Sequence, residues 1–281
     1  MNRDVAYHRR KLTNTVMLAC CAASALAAAT VVFVILGYLF IKGINYLNVD
    51  FFVKGPAPLG EPGGGVAPSI VGSAITVGIA TVIGVPVGIG TGIFLSEYAG
   101  PRAAAIIRFT ADILTGIPSI VIGIFVYGLI VVEMGHFSAL AAGVALAVIM
   151  LPILARSSEE MLKLVPQSQR EAALALGISR WRTIVSVVLP GARAGLITGS
   201  LLAMARAAGE TAPLIFTALG NRFMTTSVTG GPIDALPLRI WRYGIGPYDE
   251  WHQQAWAASF VLVMLVFLVS LVARLALAKR G

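Results

Sequence analysis

Two opposite charges lie inside an otherwise apolar stretch of this sequence. Within "GSLLAMARAAGETAPLIFTALG", residues 199–220, Arg206 precedes Glu210 by four positions. A guanidinium group presents forked N–H donors that match the oxygens of a tetrahedral oxyanion. A carboxylate accepts a hydrogen bond from a protonated oxyanion but repels a fully deprotonated one. The pair therefore has the chemistry to bind an oxyanion that carries a proton.

A helix through this stretch would hold both charges deep in a membrane. Arg206 lies ten residues beyond Leu196, where the apolar run begins, which is roughly 15 Å and close to the bilayer midplane. Each charge costs about 2.5–3.5 kcal/mol at that depth, so both should face protein or water. The i, i+4 spacing places Arg206 and Glu210 on one helix face, where they either neutralise each other or line a substrate pathway.

The neighbouring residues predict a bend beside the pair. Pro213 has no N–H to donate to the carbonyl of Gly209, so we expect a kink with a freed carbonyl there. The hydroxyl of Thr211 either lines the same pathway or packs within the helix bundle. The candidate pathway residues are therefore Arg206, Gly209, Glu210 and Thr211.

The composition is typical of an integral membrane protein. Of 281 residues, 57% are hydrophobic and 12% are charged, and the mean hydropathy is +0.86. The histidines and cysteines lack metal-ligand spacing, so we expect no metal site. Runs of about 20 apolar residues cross a bilayer as helices, which predicts an all-α polytopic fold with residues 1–281 as one transmembrane domain. The six predicted spans are Thr15–Ile41, Ala67–Leu95, Ile106–Val132, Phe137–Ala155, Leu196–Ala218 and Ala255–Ala278.

The distribution of Lys and Arg predicts the orientation. Fifteen of the 21 lie in the N-terminal arm, in the connections after spans 2 and 4, and at the C-terminus, including Lys279 and Arg280, whereas five lie on the opposite side. The positive-inside rule places both termini in the cytoplasm, with a cytoplasmic loop at 164–195 and an extracytoplasmic loop at 219–254. The net charge of +8 follows from this topology and requires no nucleic-acid partner.

The first apolar run has features of both a signal peptide and a membrane anchor. It carries Ala-Leu-Ala at 25–27, which a cleavage site would also show. The apolar run continues as far as Ile41, which is too long for the core of a signal peptide. We therefore interpret it as a membrane anchor.

Glycine and proline positions predict how two spans pack and bend. Gly84, Gly88 and Gly92 recur every four residues in the second span, which lets another helix approach closely. Pro118 should kink the third span, because it removes a backbone donor. In the same span Arg108 and Asp112 have the spacing of a salt bridge along one helix. We expect the acidic residues near the span ends to be solvated, namely Glu97, Glu133, Glu159 and Glu160.

The loop at 164–195 predicts a helical hairpin. Ser168 followed by Glu171 is a capping box, which starts a helix near Gln169. Gly177 supplies the left-handed residue that ends this helix.

A second short helix should follow. Ser179 is its expected cap, and the helix runs toward Val188 until Pro190 and Gly191 stop it. The hairpin either fits a groove on a partner protein or is an amphipathic linker at the membrane surface.

At this loop the sequence resembles the permeases of ABC importers. Their EAA loop has the pattern EAA, three residues, Gly, nine residues, Ile, one residue, Leu-Pro. The matching residues here are Glu171, Ala172, Ala173, Gly177, Val187, Leu189 and Pro190, with Val in place of Ile. The resemblance implies the type I importer permease fold, in which this loop forms a coupling helix that docks into a separate ATPase subunit. No GxxxxGK[ST] motif occurs, so we expect no enzyme activity and no cofactor in this chain, with ATP and Mg²⁺ bound by the partner.

Two further stretches are similar to the PstA-type permeases of bacterial phosphate importers: "DILTGIPSIVIGIF" at 112–125 and "RAAGETAPLIFTA" at 206–218. This resemblance implies a multi-pass subunit of the bacterial plasma membrane that takes up phosphate. It also implies three partners, namely a PstC-type permease, a dimer of PstB-type ATPases and a PstS-type phosphate-binding protein outside. The alternatives are a permease for another oxyanion such as sulfate or molybdate, and an ATP-independent anion transporter. A membrane enzyme is disfavoured, because no nucleophile and base occur together at depth.

Overall fold

The computed structural model describes residues 2–58, 61 and 63–278, and side chains from residue 6 to residue 275. Lys279 and Arg280 lie outside the described residues. The described part forms helices and no β-strand. The α-helices are α1 Asn2–Gly43, α2 Val49–Val53, α3 Ala67–Ile93, α4 Pro101–Gly116, α5 Ser119–Val126, α6 Val132–Met134, α7 Ala139–Lys163, α8 Gln167–Ala175, α9 Arg180–Thr183, α10 Leu189–Ala208, α11 Ala212–Thr217, α12 Leu236–Gly244 and α13 Asp249–Ala278.

Five continuous helical segments in the described chain are long and apolar enough to cross a membrane. Their bounds are Ala6–Tyr46, Ala67–Tyr98, Ala139–Lys163, Arg180–Ala208 and Asp249–Leu275. A bent pair, α4 together with the helical segment Ser119–Met134, is long and apolar enough only when its two parts are taken together as one span. The predicted all-α membrane fold is confirmed, and the third of the six spans is broken.

The break in the third span is much sharper than the kink predicted at Pro118. The two parts meet at 101°. Ile117 is extended (φ −70°, ψ 130°) because a residue before proline avoids the helical region. Arg108 in α4 bonds to Glu159 near the C-terminal end of α7, and α6 ends just before α7 begins. The bent pair therefore begins beside the C-terminal end of α7 and ends beside its N-terminal end, so it spans the length of α7.

The core is built around the contact between α3 and α7. The predicted close approach of the glycine face is confirmed, because a Cβ added at Gly84 would lie 3.6 Å from Met150 and from Leu154. Added Cβ atoms at Gly88 and Gly92 would overlap α7 side chains. The small residues of α3 thus let the two backbones pack directly, as membrane helices require.

The fifth span differs from its predicted bounds at both ends. It begins at Arg180 rather than Leu196, and runs continuously to Ala208. Pro190 does not stop it, because residues Ile184–Val188 form a wide π-turn just before the proline. Such a turn makes i→i−5 bonds, so the regular ladder is already interrupted where the proline lacks its N–H. At the other end the helix breaks at residues 209–211 instead of continuing to Ala218.

The loop at 219–254 contains a helix that the sequence pattern did not predict. This helix, α12, buries Leu236 and Leu238 against the ends of α3 and α13. By contrast, the most apolar 18-residue window of α1 has no buried residue. Helix α1 contacts α13 near the C-terminal end of α1, where Leu39 is buried.

Candidate functional site

The candidate site forms where the fifth span breaks. Arg206 lies in the last turn of α10, and its carbonyl accepts a hydrogen bond from Gly209 N at 3.1 Å. Glu210 lies after the helix end, with its N–H donating to Ala207 O at 3.2 Å. The expectation that both charges share one continuous helix face is therefore wrong. The break instead turns Glu210 back toward the last helical turn.

The break is held by a close backbone contact between two spans. Pro213, which was expected to kink the helix, lies in the first turn of α11. A Cβ added at Gly123 of α5 would lie 2.6 Å from Pro213 Cα. Thr211 is half-buried beside this contact. The predicted interruption beside Pro213 is therefore confirmed, because α10 ends at Ala208 and α11 begins only at Ala212.

The register of α10 against α7 fixes the depth of Arg206. Gly191 faces Val165, Gly195 faces Met161 and Gly199 faces Ser157, so the two helices run antiparallel in steps of four residues.

Continuing that register places Arg206 level with about residue 150, near the middle of α7, which is about 37 Å long. Ala203 and Ala207 share a buried cluster with Met150, as this register requires. Arg206 therefore lies near mid-height of the bundle.

The two charges form a loose ion pair. Arg206 Nε lies 3.7 Å from Glu210 Oε1, which is beyond hydrogen-bond distance. The Arg206 side chain is 53% exposed and that of Glu210 is 17% exposed. Within the described part of the chain the guanidinium makes no hydrogen bond, so its donors are available to a ligand.

The two helices of the hairpin, residues 167–183, lack the side-chain caps that the sequence predicted. Helix α8 begins at Gln167 after Pro166, with no side-chain cap, so the predicted capping box of Ser168 and Glu171 is wrong. Ser179 holds the cap position of α9 but makes no capping hydrogen bond. Pro166 itself holds the cap position, with φ −58° and ψ 140°, and its carbonyl accepts a hydrogen bond from Gln169 N at 3.2 Å.

The left-handed turn at Gly177 is confirmed. Gly177 has φ +77°, and its N–H donates to Leu174 O at 2.9 Å. Ile178 N donates to Ala173 O at 3.2 Å, which completes a Schellman motif. Among the residues of the EAA pattern, Ala173 is buried whereas Glu171 and Ala172 are exposed.

Exposed apolar side chains surround this turn. Leu176 is 80% exposed and Trp181 is 59% exposed. Leu189 and Pro190, the end of the pattern, lie within the long fifth span. The hairpin therefore presents an uncovered apolar surface with Glu171 beside it.

Sequence reasoning missed the ion pairs between spans. Arg108 does not pair with Asp112; its Nε donates to Glu159 Oε1 at 3.0 Å, and Asp112 accepts from Arg156 at 2.7 Å. Glu159 was expected to be solvated, and its side chain is 3% exposed. The partners lie 44 and 51 residues apart, so no local spacing reveals them.

Glu97 is the second acidic residue whose predicted exposure is wrong. Its side chain is 8% exposed and pairs with Arg170 of the hairpin at 3.0 Å. Glu133 and Glu160 are exposed, as expected.

A buried charged cluster lies at the opposite end of the bundle. Asp234 and Arg239 form an ion pair with side chains 0% and 2% exposed, and Ser69 of α3 donates to Asp234. Arg239 also donates to Asn221 O at 2.9 Å. Burial raises the pKa of Tyr243, whose ring lies beside Arg239, so its phenol stays protonated. The cluster ties α3 to α12 and to the segment after α11.

A known protein family matches the part of the chain that carries the hairpin and the candidate site. A family model described as binding-protein-dependent transport system inner membrane component matches residues 84–280. This match includes the hairpin and the break that carries Arg206 and Glu210.

Individual proteins are also similar to this chain over most of its length. The phosphate transport system permease protein PstA of Yersinia pestis is 45% identical over 240 residues, covering 85% of this chain and 81% of that protein. The PstA protein of Xylella fastidiosa strain 9a5c is 44% identical over 271 residues, covering 95% and 93%. An inward-facing structure of the MetNI methionine ABC transporter matches 77% of this chain and 94% of that chain, with a TM-score of 0.60 and 22% identity. This last likeness concerns the fold alone.

Proposed function

This chain belongs to the family of binding-protein-dependent transport system inner membrane components, and from that premise we propose that it is one of two membrane subunits of an ATP-driven importer of inorganic phosphate. Its relatives in Yersinia pestis and Xylella fastidiosa are phosphate transport system permeases by name. The chain forms half of the translocation pathway and carries out no covalent chemistry itself.

One observation supports the pathway most strongly. Arg206 lies near mid-height of a membrane bundle, yet half of its side chain is uncovered and its donors are unused. An exposed charge at that depth is stable only where it faces water or another protein. We infer that Arg206, Gly209, Glu210 and Thr211 face a polar cavity that this chain shares with a second permease.

The chemistry of the pair fits phosphate better than sulfate. Inorganic phosphate keeps at least one P–OH group near neutral pH, whereas sulfate is fully deprotonated. The guanidinium of Arg206 binds phosphate oxygens through charge-assisted hydrogen bonds. Glu210 accepts the P–OH hydrogen and repels an oxyanion that has none. Because the pair is 3.7 Å apart, a small shift of either side chain admits an oxygen atom between them.

The hairpin supports coupling to a separate ATPase. Its apolar side chains Leu176 and Trp181 are exposed, and Glu171 lies on the same uncovered segment. We propose that this surface docks on a PstB-type ATPase dimer, which binds ATP and Mg²⁺. The other partners are a PstC-type permease and a PstS-type binding protein that delivers phosphate outside. Closure of the ATPase dimer moves the hairpin and switches access to the pathway.

The orientation follows from the same assignment. With the hairpin in the cytoplasm and six crossings, both termini lie in the cytoplasm as well. The positive charges on this side agree with the positive-inside rule. The complex therefore lies in the bacterial plasma membrane with residues 219–254 outside.

Competition in a transport assay tests the proposal. The complete complex is reconstituted in vesicles with ATP on the hairpin side and labelled phosphate with its binding protein on the other side. We expect ATP-dependent phosphate uptake that arsenate inhibits and sulfate does not. Protease added on the ATP side should remove tags at both termini. Uptake without ATP, or equal inhibition by sulfate, would contradict the assignment.

A further inference from the structure

The hairpin lies against the cytoplasmic end of the second span, and hydrogen bonds from two of its arginines reach that end. A cavity of about 480 Å³ lies between them, with Ser96, Glu97, Arg170 and Thr183 in its wall. The same wall also carries the apolar residues Val165, Leu174 and Ile184. The polar side chains that bridge the cavity therefore act together with this apolar contact to position the hairpin.

Arg170 is the main bridge. Its Nη2 lies 3.0 Å from Glu97 Oε1, and its Nε lies 3.3 Å from the same oxygen. The same guanidinium donates to Leu162 O at 2.7 Å and to Val165 O. One side chain of α8 thus joins the end of the α3 span to the end of α7. With exposures of 13% and 8%, Arg170 and Glu97 are well shielded from solvent, so salt screens this pair little.

Arg180, at the other end of the hairpin, contacts the same turn of the second span. It donates to the backbone carbonyl of Glu97, and its guanidinium lies 4.9 Å from the centre of the Tyr98 ring. Both contacts involve residues 94–98, the wide π-turn that ends this span. Two arginines from the two helices of the hairpin therefore hold one turn.

We propose that Glu97 and Arg170 are a positioning pair that transmits movement of the hairpin to the second span. The inference deepens the proposed function, on which it rests, by adding a second route for that movement. The first route is the covalent continuity of the hairpin with the fifth span. The second passes through Glu97 into α3, which packs along α7 as a rigid unit because Gly84, Gly88 and Gly92 allow direct backbone contact.

The contacts at the opposite end of α3 identify the segments that this movement reaches. Ser69 donates to Asp234, and Ser73 Oγ accepts from Leu236 N at 2.7 Å. Asp234 holds Arg239, which donates to the backbone at Asn221. Helix α3 has 27 residues and is about 40 Å long, so it connects the two sides of the membrane. A shift at Glu97 on one side therefore displaces α12 and the segment after α11 on the other side. The pair acts through α3 and does not touch substrate.

The test compares carboxylate and guanidinium variants in the reconstituted complex. Glu97→Gln, Arg170→Gln and the double variant are measured for ATPase copurification, ATP hydrolysis and phosphate moved per ATP. Asp50→Asn is the matched control, because Asp50 of α2 forms an exposed ion pair with Lys54, beside the other end of the second span. Arg170→Lys keeps the charge and supplies a variant that assembles if the Gln variants do not.

We expect the single variants to copurify with the ATPase and to hydrolyse ATP within about twofold of wild type. Phosphate moved per ATP should fall at least about fivefold, and the double variant should match the lower single variant because the two residues act as one unit. Unchanged phosphate per ATP, effects that multiply in the double variant, or loss of assembly in all variants including Arg170→Lys would overturn the proposal.

A second measurement separates this inference from the proposed function. Binding of nucleotide to the wild-type complex should change hydrogen exchange at residues 67–73, the far end of α3, and Glu97→Gln should remove that change. This measurement does not depend on the substrate. A wild-type complex that moves no phosphate would refute the proposed function, whereas unchanged exchange in the variant would refute the positioning pair.

Discussion

Individual side chains of one chemical type have different roles in this chain because their partners differ. Arg206 has one loose partner, whereas Arg239 is 2% exposed and Arg170 is 13% exposed, each held by an acid and by backbone carbonyls. An arginine held in this way is a structural connector. An arginine whose donors are free is suited to bind a passing anion.

Glu210 should control the choice between protonated and deprotonated oxyanions. We predict that Glu210→Gln weakens phosphate uptake and makes sulfate an inhibitor, because the amide donates to an oxyanion that the carboxylate repels. The ratio of sulfate to phosphate half-inhibition concentrations should fall by about tenfold or more, the equivalent of ~1.4 kcal/mol. Glu133→Gln, on an exposed residue, is the control. An unchanged ratio would show that Glu210 does not contact the anion.

The sequence identifies only some of these residues. Arg206 and Glu210 are visible because a charge within an apolar run is costly and therefore unusual. Glu97 and Arg170 look like ordinary charges near a membrane surface, and they are 73 residues apart. Their pairing depends on the packing of α3 against α7, and the glycine pattern predicts a close helix partner for α3 without identifying α7.

At the scale of elements, prolines in similar settings have opposite effects. Gly84-Val85-Pro86 and Gly116-Ile117-Pro118 share one pattern, yet α3 continues through Pro86 whereas the third span breaks at Pro118. A Cβ at Gly84 would contact α7, whereas one at Gly116 would contact nothing. Packing against a neighbour holds the first helix together, and its absence at Gly116 permits the second to break. The number of spans is therefore predictable from hydropathy and the sites of possible breaks from proline, but which prolines break their helix depends on packing.

The turn of the hairpin is the element with the clearest local requirement. Gly177→Val should uncouple or detach the ATPase, because a β-branched residue resists φ +77° even though the space around it is open. Gly177→Asn is the matched control, since Asn tolerates the left-handed conformation. We expect phosphate uptake to fall at least about tenfold in the Val variant, corresponding to a turn penalty of roughly 1–2 kcal/mol. Normal uptake and copurification in the Val variant would mean that the turn is not needed for coupling.

At the scale of the whole molecule, the fifth span joins the hairpin to the candidate pathway. The helix runs without interruption from Arg180, at the hairpin, to Ala208, two residues beyond Arg206. This arrangement corrects the prediction that Pro190 separates the two features. A displacement of the hairpin thus moves the helix that ends at the Arg206–Glu210 break, and the break itself is set against α5 through Gly123 and Pro213.

The central claim is that phosphate crosses the membrane at Arg206, and the most direct measurement is ATP-driven phosphate uptake by an assembled Arg206→Ala complex. Arg102→Ala, which removes an exposed arginine at the start of α4, is the control. Loss of charge-assisted hydrogen bonds, each worth about 1.5–3 kcal/mol, should lower uptake by at least about tenfold while the subunits still copurify. Near-normal uptake by the assembled Arg206→Ala complex would contradict the account.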